Sequence, residues 1–307
     1  MRISSPLLRG AACWLLAGCF CVLAVRCTAA EGQLPEADVQ KIEEALPEKA
    51  TVKPAQPRKV LLFSRCEGFR HSDGIVAGNL AFELMGQKTG AFSTVVSEDM
   101  AVFTSENLAP FDAIVFNNTT TLKFENPAHR EALMAFIKGG KGIVGVHSST
   151  DNFYNWPEAA AMMGGLFDGH PWYRCAVKLD DPQHPLLAAF DGQGFWISEE
   201  MYKLREPYSR DRLRVLLSMD LGKMTAKDTE VGREDKDNPI AWIQQVGEGR
   251  VFYCSFGHDR KIFWQKPLLQ FYLDGIQYAV GDLKADATPS AKLSPQPVPV
   301  LAPEAPK

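Results

Sequence analysis

The chain has 307 residues, of which 46% are hydrophobic and 23% charged, and its net charge at neutral pH is −4. These values are typical of a globular protein with a substantial core. The weak negative charge argues against a nucleic-acid-binding surface, which needs a basic stripe. The absence of an internal repeat argues against a solenoid or a propeller.

The first 30 residues have the pattern of a secretory signal peptide. Two arginines precede an apolar run from 10 to 25, and small residues at 27–30 fit a signal-peptidase site. A lipoprotein signal is the alternative, because residues 16–19 read Leu-Ala-Gly-Cys. Apolar residues continue past Cys19, however, where a lipidated cysteine usually begins a polar tether. We therefore predict cleavage near Ala30 and export to the periplasm or outside the cell, with no later segment able to span a bilayer.

Composition limits the predicted domain to 59–284. Residues 31–58 are charged and contain prolines, which predicts a linker or arm with one helical patch near 37–45. Residues 285–307 contain six prolines and few apolar side chains, so we predict a disordered tail whose deletion leaves stability unchanged. Of the seven cysteines, only Cys66, Cys175 and Cys254 follow the predicted signal peptide, and their pairing stays open.

Strands and helices are predicted to alternate through the first half of the domain. Strands are expected at 59–64, 92–96, 111–116 and 143–146, with helices at 73–88 and 127–138. This alternation predicts an α/β fold with a doubly wound, mostly parallel sheet. Further edge or antiparallel strands are expected later in the chain, with a short helix at 157–163, strands at 174–179, 195–197 and 213–219, a hairpin across Gly247 and a final helix at 267–280.

Polar side chains follow four of the predicted strands at the point where each strand ends. In open α/β sheets the carboxyl ends of parallel strands meet at one edge, where ligands bind. We therefore expect one pocket there. The residues are Arg70 and His71 after the first strand, Asn118 and Thr119 after the third, His147 and Asp151 after 143–146, and His258 and Asp259 after the last strand.

A metal centre is one chemistry that fits these residues. His71, His147 and His258 could ligate a divalent transition metal such as zinc, together with Glu199 or Glu200. No His-Glu-x-x-His spacing is present. The hypothesis therefore depends on convergence of distant residues in the fold.

Acid–base catalysis without a metal is the alternative. His147 or His258 would act as the general base, oriented by Asp151 or Asp259. The turn at 145–149 has histidine where Gly-x-Ser-x-Gly or its cysteine equivalent would present a nucleophile, which disfavours acyl-enzyme chemistry. No Gly-x-Gly-x-x-Gly follows the first strand, so no nucleotide cofactor is predicted.

Aromatic residues cluster in sequence near these loops, and flat rings stack well on the apolar faces of sugars. Core packing is the more usual place for such residues. The predicted contacts with a small carbohydrate are Arg70, Asn118, Thr119, His170, Trp172, Tyr173 and Glu199.

Several motifs, taken in order, resemble the ThuA-like (trehalose-utilisation protein) family, whose fold is similar to that of class I glutamine amidotransferases. They are Gly68-Phe69-Arg70-His71, Asn118-Thr119-Thr120, residues 142–147, Gly169-His170-Pro171, residues 239–242, residues 249–253 and Gly257-His258. The resemblance implies a flavodoxin-like domain linked to sugar catabolism that lacks the amidotransferase cysteine. The segment 198–202 departs from the expected pattern, with Met201 where an aromatic residue is expected.

Two functions from different classes follow. The first is an enzyme, such as a hydrolase or lyase, that acts on a glycoside or keto-sugar with His71, His147 and His258. The second is a sugar-binding or accessory protein that has the pocket without a reaction. The sequence leaves the oligomeric state open.

Overall fold

The computed structural model describes residues 34–305, so the predicted signal peptide and its lipoprotein alternative lie outside the described residues. The helices are α1 (Glu36–Ala45), α2 (Ser72–Thr89), α3 (Ser105–Leu108), α4 (Pro127–Lys138), α5 (Pro157–Met163), α6 (Ala226–Glu230) and α7 (Lys266–Ala279). The strands are β1 (Lys59–Phe63), β2 (Ser93–Ser97), β3 (Ala113–Asn117), β4 (Gly142–Val146), β5 (Leu166–Phe167), β6 (Cys175–Leu179), β7 (Phe195–Ile197), β8 (Leu204–Arg205), β9 (Arg214–Met219), β10 (Pro239–Val246) and β11 (Gly249–Cys254).

Nine of these strands form one sheet in the order β2-β1-β3-β4-β11-β10-β9-β6-β7. The first five are mutually parallel, and each later strand is antiparallel to its neighbour. The parallel part has the flavodoxin-like order 2-1-3-4-5, with β11 in the fifth place. The predicted fold class, a doubly wound sheet with added antiparallel strands, is confirmed.

The central strands are apolar throughout because the sheet is covered on both faces. In β1, Val60 and Leu62 join the core that includes α1, α2 and α7. Leu61 and Phe63 point to the opposite face and join the core that includes α4 and α5. Each fully buried side chain of this size stabilises the fold by about 1.5–3 kcal/mol. The unbroken apolar run that predicted a strand is thus required by burial on two sides.

Register brings the ends of the parallel strands to the same level. The last residue of β4, Val146, is paired with Asn117 of β3 and Cys254 of β11. Phe63 at the end of β1 is paired with Phe116 of β3. The loops that follow these strands therefore leave the sheet side by side.

The two flanking segments pack against the domain. Helix α1 buries Ile42, and Gln277 of α7 accepts hydrogen bonds from the backbone N–H groups of Thr51 and Val52 at 2.9 and 3.2 Å. The structure differs more strongly from the predicted disordered tail, because Val300 and Leu179 exchange two backbone hydrogen bonds of 2.9 and 3.0 Å. A proline-rich segment needs no core of its own when it can bond to exposed backbone groups of a sheet.

Two further features of the described residues concern cysteines and membranes. Cys66, Cys175 and Cys254 are unpaired. Burial raises the pKa of the Cys254 thiol to about 12 and raises that of Cys175 further, so neither is an activated nucleophile. Between residues 34 and 305, no helix has both the length and the hydropathy needed to cross a membrane.

Candidate metal centre

Three histidines and one glutamate meet at the carboxyl edge of the parallel strands. His71, His147, Glu200 and His258 each offer a ligand atom, and these four atoms all lie within 4.8 Å of one another. The imidazole ring centroids are separated by 4.9, 5.1 and 5.3 Å. The expectation that these three histidines share one pocket is met, because each follows a parallel strand whose end lies at the same edge.

The backbone after β4 presents His147 in an unusual conformation. His147 has a φ of +47°, which is uncommon for a residue with a side chain and occurs often at functional sites. Its Nδ1 lies 2.8 Å from the carbonyl oxygen of Ser255. Because a carbonyl only accepts, Nδ1 carries the proton and Nε2 has a free lone pair, which is the tautomer that a metal ligand needs.

The free nitrogens face Glu200. His147 Nε2 and His258 Nδ1 lie 3.5 and 3.4 Å from Glu200 Oε1. These contacts are not well-formed hydrogen bonds, and among the described residues both buried nitrogens are without a hydrogen-bond partner. Buried polar atoms rarely stay unsatisfied. Two imidazole lone pairs and a carboxylate facing one point are therefore donors that fit a divalent transition metal.

Electrostatics keep two of the imidazoles neutral. Burial, followed by repulsion from His147 and His258, lowers the pKa of His71 to about 3. Burial also lowers the pKa of His147. Metal ligation requires neutral imidazole, so these shifts favour a site that protons do not easily disrupt.

The carboxylate of Glu200 is charged and attracts the third imidazole. Burial by itself would raise the pKa of Glu200, but interaction with His147 and His258 outweighs it and holds that pKa below its usual range. The same interaction raises the pKa of His258. In the metal-free protein the contact between Glu200 and His258 therefore favours the negative charge on Glu200 and protonation of His258.

Two predicted carbohydrate contacts lie at the rim of this cluster. Tyr173 is 61% exposed, and its hydroxyl donates to Glu200 Oε2 at 3.2 Å. His170 Nδ1 lies 3.5 Å from the same oxygen, and the His170 side chain is 48% exposed. Phe69, which the sequence analysis did not single out, is 69% exposed and its ring lies edge-on to that of His71. Exposed rings beside a buried polar cluster are suited to binding a sugar face.

Other predicted contacts are buried and make supporting hydrogen bonds. Asn118 donates to the carbonyl oxygen of Gly257 at 3.1 Å, and Thr119 accepts two hydrogen bonds from Asn152. Trp172 is 1% exposed and donates to the carbonyl oxygen of Asp228 at 3.0 Å. These three side chains brace loops and the core, so the structure does not place them on a surface that a carbohydrate could reach.

The predicted partners of the general base also lie elsewhere. Asp151 accepts a hydrogen bond from Tyr154, and Asp259 caps a short 3₁₀ helix through the N–H of Lys261 at 2.9 Å. Within residues 34–305 the carboxylate that faces the histidines is Glu200. The proposed orientation of His147 or His258 by Asp151 or Asp259 is thus corrected.

Arg70 and Glu199 complete the set of predicted residues. Arg70 forms an ion pair with Glu98 at 2.6 Å, which joins the loops after β1 and β2. Glu199 is 3% exposed, and burial raises its pKa to about 8. Its Oε1 accepts from the N–H groups of Gly257 and His258 at 2.9 and 2.6 Å. Of the two adjacent glutamates, Glu200 faces the histidines, and Glu199 accepts hydrogen bonds from the backbone of the loop that carries His258.

Two hydroxyls that sequence reasoning did not assign to the site contact His71. Ser148 Oγ lies 3.3 Å from His71 Nδ1, and the Tyr202 hydroxyl lies 3.5 Å from His71 Nε2. Burial raises the pKa of Tyr202, so its phenol stays protonated. In the sequence Tyr202 is one of several aromatic residues near the loops, and Ser148 follows His147 directly.

Fold and site together define a flavodoxin-like α/β protein with a histidine–glutamate cluster at the carboxyl edge of its parallel strands. The chain belongs to the ThuA family, described as trehalose utilisation, which matches residues 59–279. A ThuA-like protein from Bacteroides uniformis is 21% identical with a TM-score of 0.60, covering 76% of this chain and 95% of the other. One from Parabacteroides merdae is 15% identical with a TM-score of 0.55, covering 76% and 98%. These likenesses show the fold alone, and no curated protein matches the chain.

Proposed function

We propose that this protein is an exported, metal-dependent enzyme that acts on a small carbohydrate, either a glycoside or a keto-sugar. The observation that carries the proposal is the pair of buried imidazole nitrogens, His147 Nε2 and His258 Nδ1, which are directed at one carboxylate oxygen without a hydrogen bond among the described residues. With His71 they would hold a divalent metal such as zinc. When bound, such an ion supplies a Lewis acid that polarises a carbonyl or activates water.

The protein's own residues would bind and orient the sugar. Tyr173 and His170 contact Glu200 Oε2 from the exposed side, so a ligand seated against them lies beside the cluster. Phe69 offers a further exposed ring beside His71. The Tyr202 hydroxyl, which stays protonated, lies 3.5 Å from His71 Nε2, where it can orient that imidazole.

The carbohydrate assignment draws on the family and on these rings. The ThuA family is described by trehalose utilisation, and exposed aromatic faces suit the apolar faces of sugar rings. Export is supported by the signal-peptide pattern of residues 1–30. Cell fractionation with N-terminal sequencing tests it, and a chain that stays in the cytoplasm and begins at Met1 would refute it.

The first experiment is elemental analysis of the tag-free protein. We expect about one equivalent of a divalent transition metal per chain, lost on chelation and absent from His147→Ala. His129→Ala is the matched control, because His129 lies on α4 outside the cluster. A wild-type protein that binds no such metal after reloading would refute the metal centre.

The second experiment is a turnover survey on glycosides and their oxidised keto derivatives. Metal-dependent conversion by the wild type and by His129→Ala, but not by His147→Ala, is the expected result. Sugar binding without His147-dependent conversion would instead establish the non-catalytic alternative, a sugar-binding or accessory protein.

A further inference from the structure

The carboxylate of Glu199 joins two segments of the site that are distant in sequence. Its Oε1 accepts from the backbone N–H of Gly257 at 2.9 Å and from that of His258 at 2.6 Å. The side chain is 3% exposed. Its other oxygen makes no hydrogen bond within the described part of the chain. Within residues 34–305, the hydrogen bonds of this side chain hold the loop after β11.

That loop controls two of the site histidines. It carries His258 itself, and its Ser255 carbonyl fixes the tautomer of His147 at a distance of 2.8 Å. Gly257 has a φ of +135°, a conformation that glycine alone adopts readily. Such a backbone needs external bonds to stay in one conformation.

We infer that Glu199 is a positioning residue that fixes His258 against Glu200. Glu199 and Glu200 are adjacent in sequence. The hydrogen bonds of Glu199 to the loop after β11 therefore position both that loop and the Glu200 carboxylate, and so set the 3.4 Å separation of His258 Nδ1 from Glu200 Oε1. The inference rests on the proposed function for its consequence in metal affinity. Residues that orient metal ligands typically change affinity 10–100-fold when replaced.

Substitutions can separate this role from simple packing. Glu199→Leu retains bulk and removes the acceptor, whereas Glu199→Gln retains an acceptor oxygen on a side chain of the same length. Glu199→Asp shortens the side chain by one methylene and so moves the acceptor oxygen away from the two N–H groups. It replaces the leucine variant if that variant does not fold. Asp274→Ala is the matched control, because Asp274 is a buried carboxylate on α7 that bonds to Thr51 and Gln270 away from the cluster.

Two measurements are made on each variant: hydrogen exchange of the Gly257 and His258 amides without metal, and the dissociation constant for Co²⁺ from its visible absorption. We expect Glu199→Leu to exchange these amides faster and to bind Co²⁺ 10–100-fold more weakly. Glu199→Gln, which keeps an acceptor oxygen, should leave both values close to those of the wild type. Asp274→Ala should lower thermal stability but leave both values unchanged.

The outcomes separate the two proposals. Wild-type exchange in Glu199→Leu, or a Glu199→Gln variant as impaired as Glu199→Leu, would overturn the positioning role. If wild-type protein binds no Co²⁺, the proposed metal centre fails, and amide exchange alone then decides whether Glu199 holds the His258 loop.

Discussion

Replacement of His71 is expected to make the metal-free protein less sensitive to acid. His71 is 7% exposed in the folded chain, and burial with repulsion from two neighbouring imidazoles lowers its pKa from 6.5 to about 3. The unfolded chain takes up a proton near pH 6.5, but the folded chain does not. The unfolded state therefore binds more protons between these values, and stability must fall as the pH decreases through this window.

The size of the effect follows from the shift. A pH of 5 is about 1.5 units below the pKa of 6.5 that the imidazole has in the unfolded chain. This difference corresponds to about 2 kcal/mol of lost stability. Well below pH 3, where both states are protonated, the full difference amounts to about 5 kcal/mol. Above pH 7 both states are neutral, so His71 makes no pH-dependent contribution there.

Chemical denaturation of chelator-treated protein at pH 7.5 and pH 5.0 tests this reasoning. The wild type should lose about 2 kcal/mol more than His71→Gln between the two conditions. His129→Gln, altered outside the cluster on α4, should follow the wild type. Equal losses in wild type and His71→Gln would show that His71 is readily protonated in the folded state and would refute the argument.

Two other predictions concern the tail and the helix beneath the site. Deleting 285–307 should lower the melting temperature by about 5 °C or more, because the deletion removes the two backbone hydrogen bonds between Val300 and Leu179. A truncation after Pro303 is the control. Equal melting temperatures for the deletion and the full chain would contradict packing of the tail. Gly74→Ala in α2 should destabilise the protein and weaken Co²⁺ binding, because a Cβ there would lie 2.1 Å from the Gly257 carbonyl oxygen. Thermal melting and Co²⁺ titration check this prediction. A small gain in stability, as is usual for glycine to alanine in a helix, would count against it.

Some features of the site were predictable because they are local. The apolar run of β4 ends abruptly at His147, and β1 and β11 are followed by loops that carry His71 and His258. Strands of this kind are buried on both faces, and parallel strands end at one edge. Sequence was therefore sufficient to predict the parallel sheet and to bring the three histidines together.

Other features depended on contacts between distant segments. Glu199 and Glu200 are adjacent and chemically identical, and only the packing of the loop after β7 against Gly257 decides that Glu200 faces the histidines. The same holds for Trp172. Its flat aromatic ring suited a contact with a sugar, but the residue lies in the core.

The tail shows the same division between local pattern and tertiary contact. Its proline content predicts that residues 285–307 form no core of their own. Composition does not report the free backbone groups of Leu179 that Val300 pairs with. The sequence by itself determined which segments become buried strands and where their polar ends fall, because burial and strand direction act locally. The tertiary structure decided which carboxylate and which hydroxyls contact the histidines, and which terminal segments pack on the sheet. Those contacts join residues that sequence patterns do not relate.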